Sequence, residues 1–209
     1  MYFDLSVLPP LDQYKLLAST IVPRPIAWVV TVGPDGATNA APFSFFNAFG
    51  AGPPIICLGI GARALGNPKD TGENIRRSRE FVVNLVARAN AEAMNITAIE
   101  FGPEIDEIAQ AQLNTRPSSK VAPPRIAESP VAMECVLHSI IDFSADRALV
   151  IGEVVAMHVD DAAVLDAKRC HIDTPKLDLI GRMHGGGWYT GTNERFDMPR
   201  IPVGEWPVR

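Results

Sequence analysis

The stretch PRPIAWVVTVGPDGATNAAPFSFFNAFG, residues 23–50, decides how the chain is read. Residues 26–32, IAWVVTV, are apolar and rich in β-branched side chains, so they predict a strand. GPDG, Gly33 to Gly36, predicts a tight turn. Residues 37–43 return as a second strand and complete a hairpin. The segment that follows is too apolar for an ordinary surface loop and too polar for a core strand. In NAAPFSFFN, Asn39, Ser44 and Asn47 offer donors and acceptors, and Phe43, Phe45 and Phe46 offer flat apolar surface. A planar heteroaromatic ligand wants both. The same residues also suit a structural role, with the phenylalanines in the core and Asn and Ser satisfying turn backbone.

Working outward, residues 1–25 read as loop-rich, with prolines near both ends, so 1–22 is expected as an N-terminal arm. Residues 55–60, IICLGI, predict a short buried strand. In DTGENIRRSRE, Asp70 is placed to cap a helix over 71–79, and Glu73 stands at capping-box spacing. FVVNLV, 81–86, predicts a strand, 89–98 a helix, 104–112 a weaker helix and 114–129 a loop. Two long strands follow, 131–143 and 148–160, joined by a turn at Ser144 to Arg147. Residues 176–190 offer a last short strand and a Gly-rich loop, and 191–209 an extended tail. Strict strand–helix alternation is missing. One domain over 1–209 is expected, mainly β with added helices, built as an antiparallel barrel.

Composition narrows the function. Hydrophobic residues make up 47% and charged residues 21%, as in a globular protein. A formal net charge of -5 argues against a nucleic-acid partner, which requires clustered Lys and Arg. No run of about 18 apolar residues is present to span a membrane, and the first residues do not resemble a signal peptide. Cys57, Cys135 and Cys170 are far apart and odd in number, which points to a reducing cytoplasm rather than a disulfide framework. HExxH, HxxxH, GxSxG, Walker A and GxGxxG patterns are all missing, so a metal site, a serine-hydrolase elbow and the standard nucleotide loops are not expected.

One junction does carry a signal. In GIGARALGNPKDTGEN, a strand end with Gly59 and Gly61 leads through Arg63 and Lys69 to a helix start at Asp70 and Thr71. Helix N-termini attract anions, and glycines admit close backbone approach. Together these suit a phosphate monoester, although a solvated loop before a well-capped helix fits the spacing as well. MHGGGWYTG, 183–191, reads equally as a backbone passing a flat ligand and as a flexible turn. With a phosphate site and an aromatic slot but no convincing acid, base or nucleophile, the chemistry is expected to come from a cofactor.

PRPIAWVVTV (23–32), GATNAAPFSFFNAF (36–49), PKDTGENIRRSREFVVNLV (68–86) and, more loosely, IGRMHGGGWYT (180–190) resemble the flavin reductase-like, FMN-binding split-barrel family, in the branch of flavoredoxin and the reductase component of nitrilotriacetate monooxygenase. The resemblance implies a six-stranded antiparallel split barrel, a homodimer with FMN near the subunit interface, and electron transfer from NADH or NADPH to flavin. By the same analogy Ala41, Pro42, Phe43, Ser44, Phe46 and Asn47 run along the isoalloxazine, with Ser44 and Asn47 as polar contacts. Gly59, Gly61, Arg63, Lys69 and Thr71 surround the phosphate, beside Asp70. Relatives often place a hydroxyl residue in the loop after the third strand, whereas GIGARALG has none before Thr71, so backbone N–H groups and Arg63 are expected to take its place. The reduced flavin would go to a partner monooxygenase or another acceptor. The rival readings are a non-enzymatic electron carrier of the same fold, a split-barrel protein holding haem or a pyridoxal-type phosphate, and a hydrolase using Ser44.

Overall fold

The computed structural model describes residues 1–63, 68–102, 105–202 and 204. Its centre is one seven-stranded sheet, antiparallel at every pairing. In chain order the strands are β1 (Ala27–Val32), β2 (Thr38–Phe43), β3 (Phe46–Ala51), β4 (Pro54–Ile60), β5 (Glu80–Leu85), β6 (Val131–Ser144) and β7 (Arg147–Val159). Their spatial order is β2-β1-β5-β6-β7-β4-β3. The fold class is as expected, but the sheet has seven strands and open edges where six closed strands were anticipated. The extra strand is β3, in the segment whose sequence suggests a ligand-facing ribbon. It pairs with β4 from Phe46↔Leu58 to Ala51↔Pro54.

β1 explains why its sequence does not alternate. Trp28 and Val30 pack on one side with Val82, Met94 and Ile126, while Val29 packs on the other with Phe81, Val83 and Leu58. Both faces are covered, so a continuous apolar run is what burial demands. Phe81 also shapes β7. A Cβ built on Gly152 would lie 2.5 Å from the Phe81 ring, so only glycine fits beneath it.

The helices are α1 (Pro10–Thr20), α2 (Asp70–Ser78), α3 (Ala91–Ile96) and α4 (Glu107–Gln110). α1 corrects the expected loop-rich arm. Pro10 sits in its first turn, where a missing N–H costs nothing, so a proline read as a breaker is in fact a helix start. Only Ala18 of α1 is buried. The 89–98 helix is a 3-10 turn at Arg88–Asn90 followed by α3. The weaker helix shrinks to α4; Glu104, in its expected range, lies outside the described residues, as do Val203 and 205–209 of the tail. The 114–129 loop contains one short antiparallel pair, Thr115–Arg116 with Arg125–Ile126. The last strand is the middle of a small sheet, with Ile180–Arg182 between Arg24–Pro25 and Tyr189–Gly191. Among the described residues no helix is long and apolar enough to cross a membrane.

One buried charge ties this loop to the sheet. Glu134 of β6 is fully buried and accepts the Ser119 N–H at 2.8 Å and the Lys120 N–H at 2.5 Å. His158 Nε2 of β7 lies 2.5 Å from the same carboxylate. Burial alone would raise this carboxyl, but the three partners outweigh it and hold it below the usual range.

Candidate functional site

β1 and β2 are set side by side by the Gly33–Gly36 turn, with register from Ala27↔Phe43 to Val32↔Thr38. α2 docks on this hairpin through side-chain amides. Asn39 Nδ2 donates to Thr71 Oγ1 at 3.0 Å, and Asn74 Nδ2 donates to Thr31 Oγ1 at 3.1 Å. Thr31, Thr71 and Asn74 are all buried. The start of α2 is therefore held against the outer strand of the sheet.

Between them lies an open cleft. Asn39, Ala41, Pro42 and Phe43 of β2 line one side, and Arg63, Lys69, Asp70 and Thr71 line another. The segment 97–101 and Glu107 complete the wall. The cleft thus joins the two signals read from the sequence, the ribbon after the hairpin and the charged helix start. Its surface combines Pro42, Phe43, Ile99 and Phe101 with two cations.

The helix start differs from the expected capping box. Lys69 occupies the N-cap position, and no side chain caps the helix. Asp70 instead forms an ion pair with Arg63, and Lys69 pairs with Glu100 at 3.2 Å. The Gly72 and Glu73 N–H groups turn back to the Lys69 carbonyl, so with no side-chain cap it is the Asp70 and Thr71 N–H groups that are left to solvent or a ligand, and a helix of nine residues adds its dipole. This donor set of two cations and uncapped amides fits a phosphate. Thr71 Oγ1 is committed to Asn39 and buried, so this residue anchors the helix start.

Five of the residues singled out from sequence lie elsewhere. Ser44, Phe46, Asn47, Gly59 and Gly61 do not line the cleft. Asn47 is exposed and accepts its neighbour Ala48's N–H at 2.8 Å. Phe46 packs against the core, and Gly59 donates its N–H to the Phe45 carbonyl at 2.7 Å. Gly61 borders a separate cleft with Lys69, Gly72 and Arg76. Residues 64–67 of the intervening loop lie outside the described residues. Phe45 is occupied by protein, with the Tyr14 ring 6.3 Å away and the Arg24 guanidinium 5.8 Å from its centroid.

The sequence reading missed Glu107 and the 97–101 segment. Glu107 is nearly buried and accepts the Ala40 N–H at 3.2 Å. Burial raises its carboxyl, its own and Ala40's N–H groups pull it down, and the charges of Asp70 and Asp106 raise it further; the net direction is upward. No local pattern marks these residues, because the folding of α4 against β2 brings them to the cleft. Among the described residues no three His, Cys, Asp or Glu side chains gather as a metal site.

The chain is similar to known proteins along most of its length. A family model described as a flavin reductase like domain matches residues 18–172. An uncharacterized protein of Deinococcus radiodurans is 41% identical over 98% of this chain and 92% of its own. The crystal structure of nitrilotriacetate monooxygenase component B from Bacillus cereus is similar with a TM-score of 0.87 at 32% identity, covering 95% of this chain and 98% of that one. The 2-nitrobenzoate 2-nitroreductase of Pseudomonas fluorescens is similar with a TM-score of 0.87 at 33% identity, covering 97% of each chain.

Proposed function

Because the chain belongs to the flavin reductase-like family, we propose that it is an FMN-binding oxidoreductase that moves electrons from NADH or NADPH through flavin to a second acceptor. The observation that carries this reading is the single cleft shared by Asn39, Ala41, Pro42, Phe43, Arg63, Lys69 and the uncapped start of α2. Arg63, Lys69 and the first N–H groups of α2 would hold the phosphate. Ala41, Pro42 and Phe43 would border the ring system, with Phe43 fixed by its burial in the core. Bound FMN would supply hydride acceptance from a nicotinamide and onward electron delivery. The chain's part is to bind, to orient and to limit water.

The relatives' names suggest two acceptors. One is a partner monooxygenase supplied with reduced flavin, as for a monooxygenase component B. The other is a small organic oxidant reduced directly, as for a nitroreductase. The three cysteines are free, which fits a cytoplasmic setting. The test is spectroscopic. Protein loaded with FMN should lose its visible flavin absorbance when NADH or NADPH is added without oxygen. Persistent absorbance with both nucleotides would leave only a carrier that other proteins reduce.

We also infer a homodimer. β3 is an edge strand with Phe49 69% exposed, and Tyr2, Phe3 and Leu11 of the N-terminal arm are exposed as well. Such an apolar edge invites a second copy. Sedimentation equilibrium should return twice the chain mass, and a monomer at micromolar concentration would rule this out.

A further inference from the structure

Both cations of the cleft already have anionic partners, Arg63 with Asp70 and Lys69 with Glu100. A phosphate entering there must take these cations from carboxylates. Asp70 has a second neighbour. It lines the cleft together with Glu107, and both also line an adjoining cleft. The Asp70 charge is one of those that raise the Glu107 carboxyl, after burial.

Glu107 has no cation paired with it among the described residues. Asp106 stands beside it on its own helix and accepts the Thr38 hydroxyl at 3.3 Å. Asp70 comes from α2, which also places Glu73 at the adjoining cleft, and Asp35 of the hairpin turn lines that cleft too. Glu100 comes from the 97–101 segment. Arg63 and Lys69 are the lining cations that offset this acidic group. β2 contributes no charge here, only the Ala40 N–H and the side chains of Thr38 and Asn39. When a dianion draws Arg63 away, Asp70 loses its counter-charge while facing Glu107 and the new anion. Like charges in a half-buried site do not both stay ionised.

We propose, building on the phosphate reading above, that Asp70 and Glu107 form a proton-binding pair: as a phosphate monoester takes Arg63 from Asp70, the pair takes one proton from solvent. One carboxylate becomes a carboxylic acid, Arg63 exchanges one anion for another, and no other bond changes. The cofactor is then held more tightly at lower pH, and its binding is a proton-uptake reaction.

Calorimetric titration tests this at about pH 8, where the ligand's phosphate is already a dianion because its second pKa is near 6. FMN is titrated in two phosphate-free buffers of different ionisation enthalpy, with riboflavin as the ligand that lacks the phosphate. The wild-type chain should take up about one proton per FMN and close to none per riboflavin, with FMN affinity falling by up to about tenfold per pH unit. Glu107→Gln and Asp70→Asn should each abolish the uptake and flatten the pH dependence; either suffices should the other fail to fold. FMN binding more tightly than riboflavin, but with equal proton uptake, overturns the pair and leaves the phosphate site standing. Uptake that survives in the folded variants does the same. FMN binding no more tightly than riboflavin overturns the phosphate site and the pair together.

Discussion

Replacing both cations of the cleft, in an Arg63→Ala and Lys69→Ala double variant, should weaken FMN binding by about 1–3 kcal/mol, roughly 5- to 150-fold in dissociation constant. Each cation can give a charge-assisted hydrogen bond to a phosphate oxygen. Removing them also takes the Arg63 ion pair from Asp70, so its carboxylate would then face the incoming anion. Both effects act in the same direction, and the upper half of the range is expected at low salt, where screening is least. Riboflavin has no phosphate, so its affinity should change far less. Fluorescence titration of both ligands separates the contributions. An FMN affinity that is unchanged in the double variant would remove the phosphate from this end of the cleft.

The second large effect belongs to the fold. Glu134→Ala should cost about 3–5 kcal/mol of stability, read as a lower urea midpoint at unchanged slope. The substitution strips a fully buried acceptor from the Ser119 and Lys120 N–H groups and from His158. Those two N–H groups, on exposed residues of the 118–120 loop, would lose the acceptor that ties them to the sheet. Glu134→Gln keeps one acceptor oxygen but turns an amide toward donors, so an intermediate loss is expected. The carboxyl also predicts a pH dependence. Its folded-state pKa lies below the ordinary 4.5, so its stabilising contribution is complete above that value. The contribution fades as pH falls through the lower folded value. Wild-type protein should therefore lose stability on acidification below about pH 4.5 more steeply than Glu134→Gln. A loss under about 1 kcal/mol in the alanine variant would show that the 118–120 loop is held by other contacts.

What could be read from the sequence followed the range of the interactions involved. β1, β2, β4, β5 and the long β6–β7 pair are visible because their own side chains set their period and their turns are local. The helix start at Asp70 is visible because charge and glycine spacing are local too. α1 was obscured by Pro10, since proline marks a helix start and a loop with the same letter. β3 was obscured because FNAFGA becomes a strand only by pairing with β4. The capping box had the right spacing, yet Arg63 recruits Asp70 across the loop, and a local pattern lost to a full charge. Glu107 reaches the cleft only through the docking of α4 on β2, and nothing around it in the chain records that contact.

The order of the sheet has a mechanical implication. β2 and β3 are its two outermost strands, yet Phe43 ends one and Phe46 begins the other. Two residues, Ser44 and Phe45, span at most about 7 Å when extended. The sheet must therefore roll until its rims nearly touch, and the Gly59 N–H to Phe45 carbonyl bond carries the β3–β4 ladder one step into the link. Curvature is imposed here by a short covalent clasp, and the hydrogen-bonded ladders comply with it. A ring lying along Ala41–Phe43 and a second subunit against Phe46–Ala51 would pull on opposite ends of the same clasp, which makes Ser44–Phe45 the shortest path along which a filled cleft and an assembled dimer would sense each other.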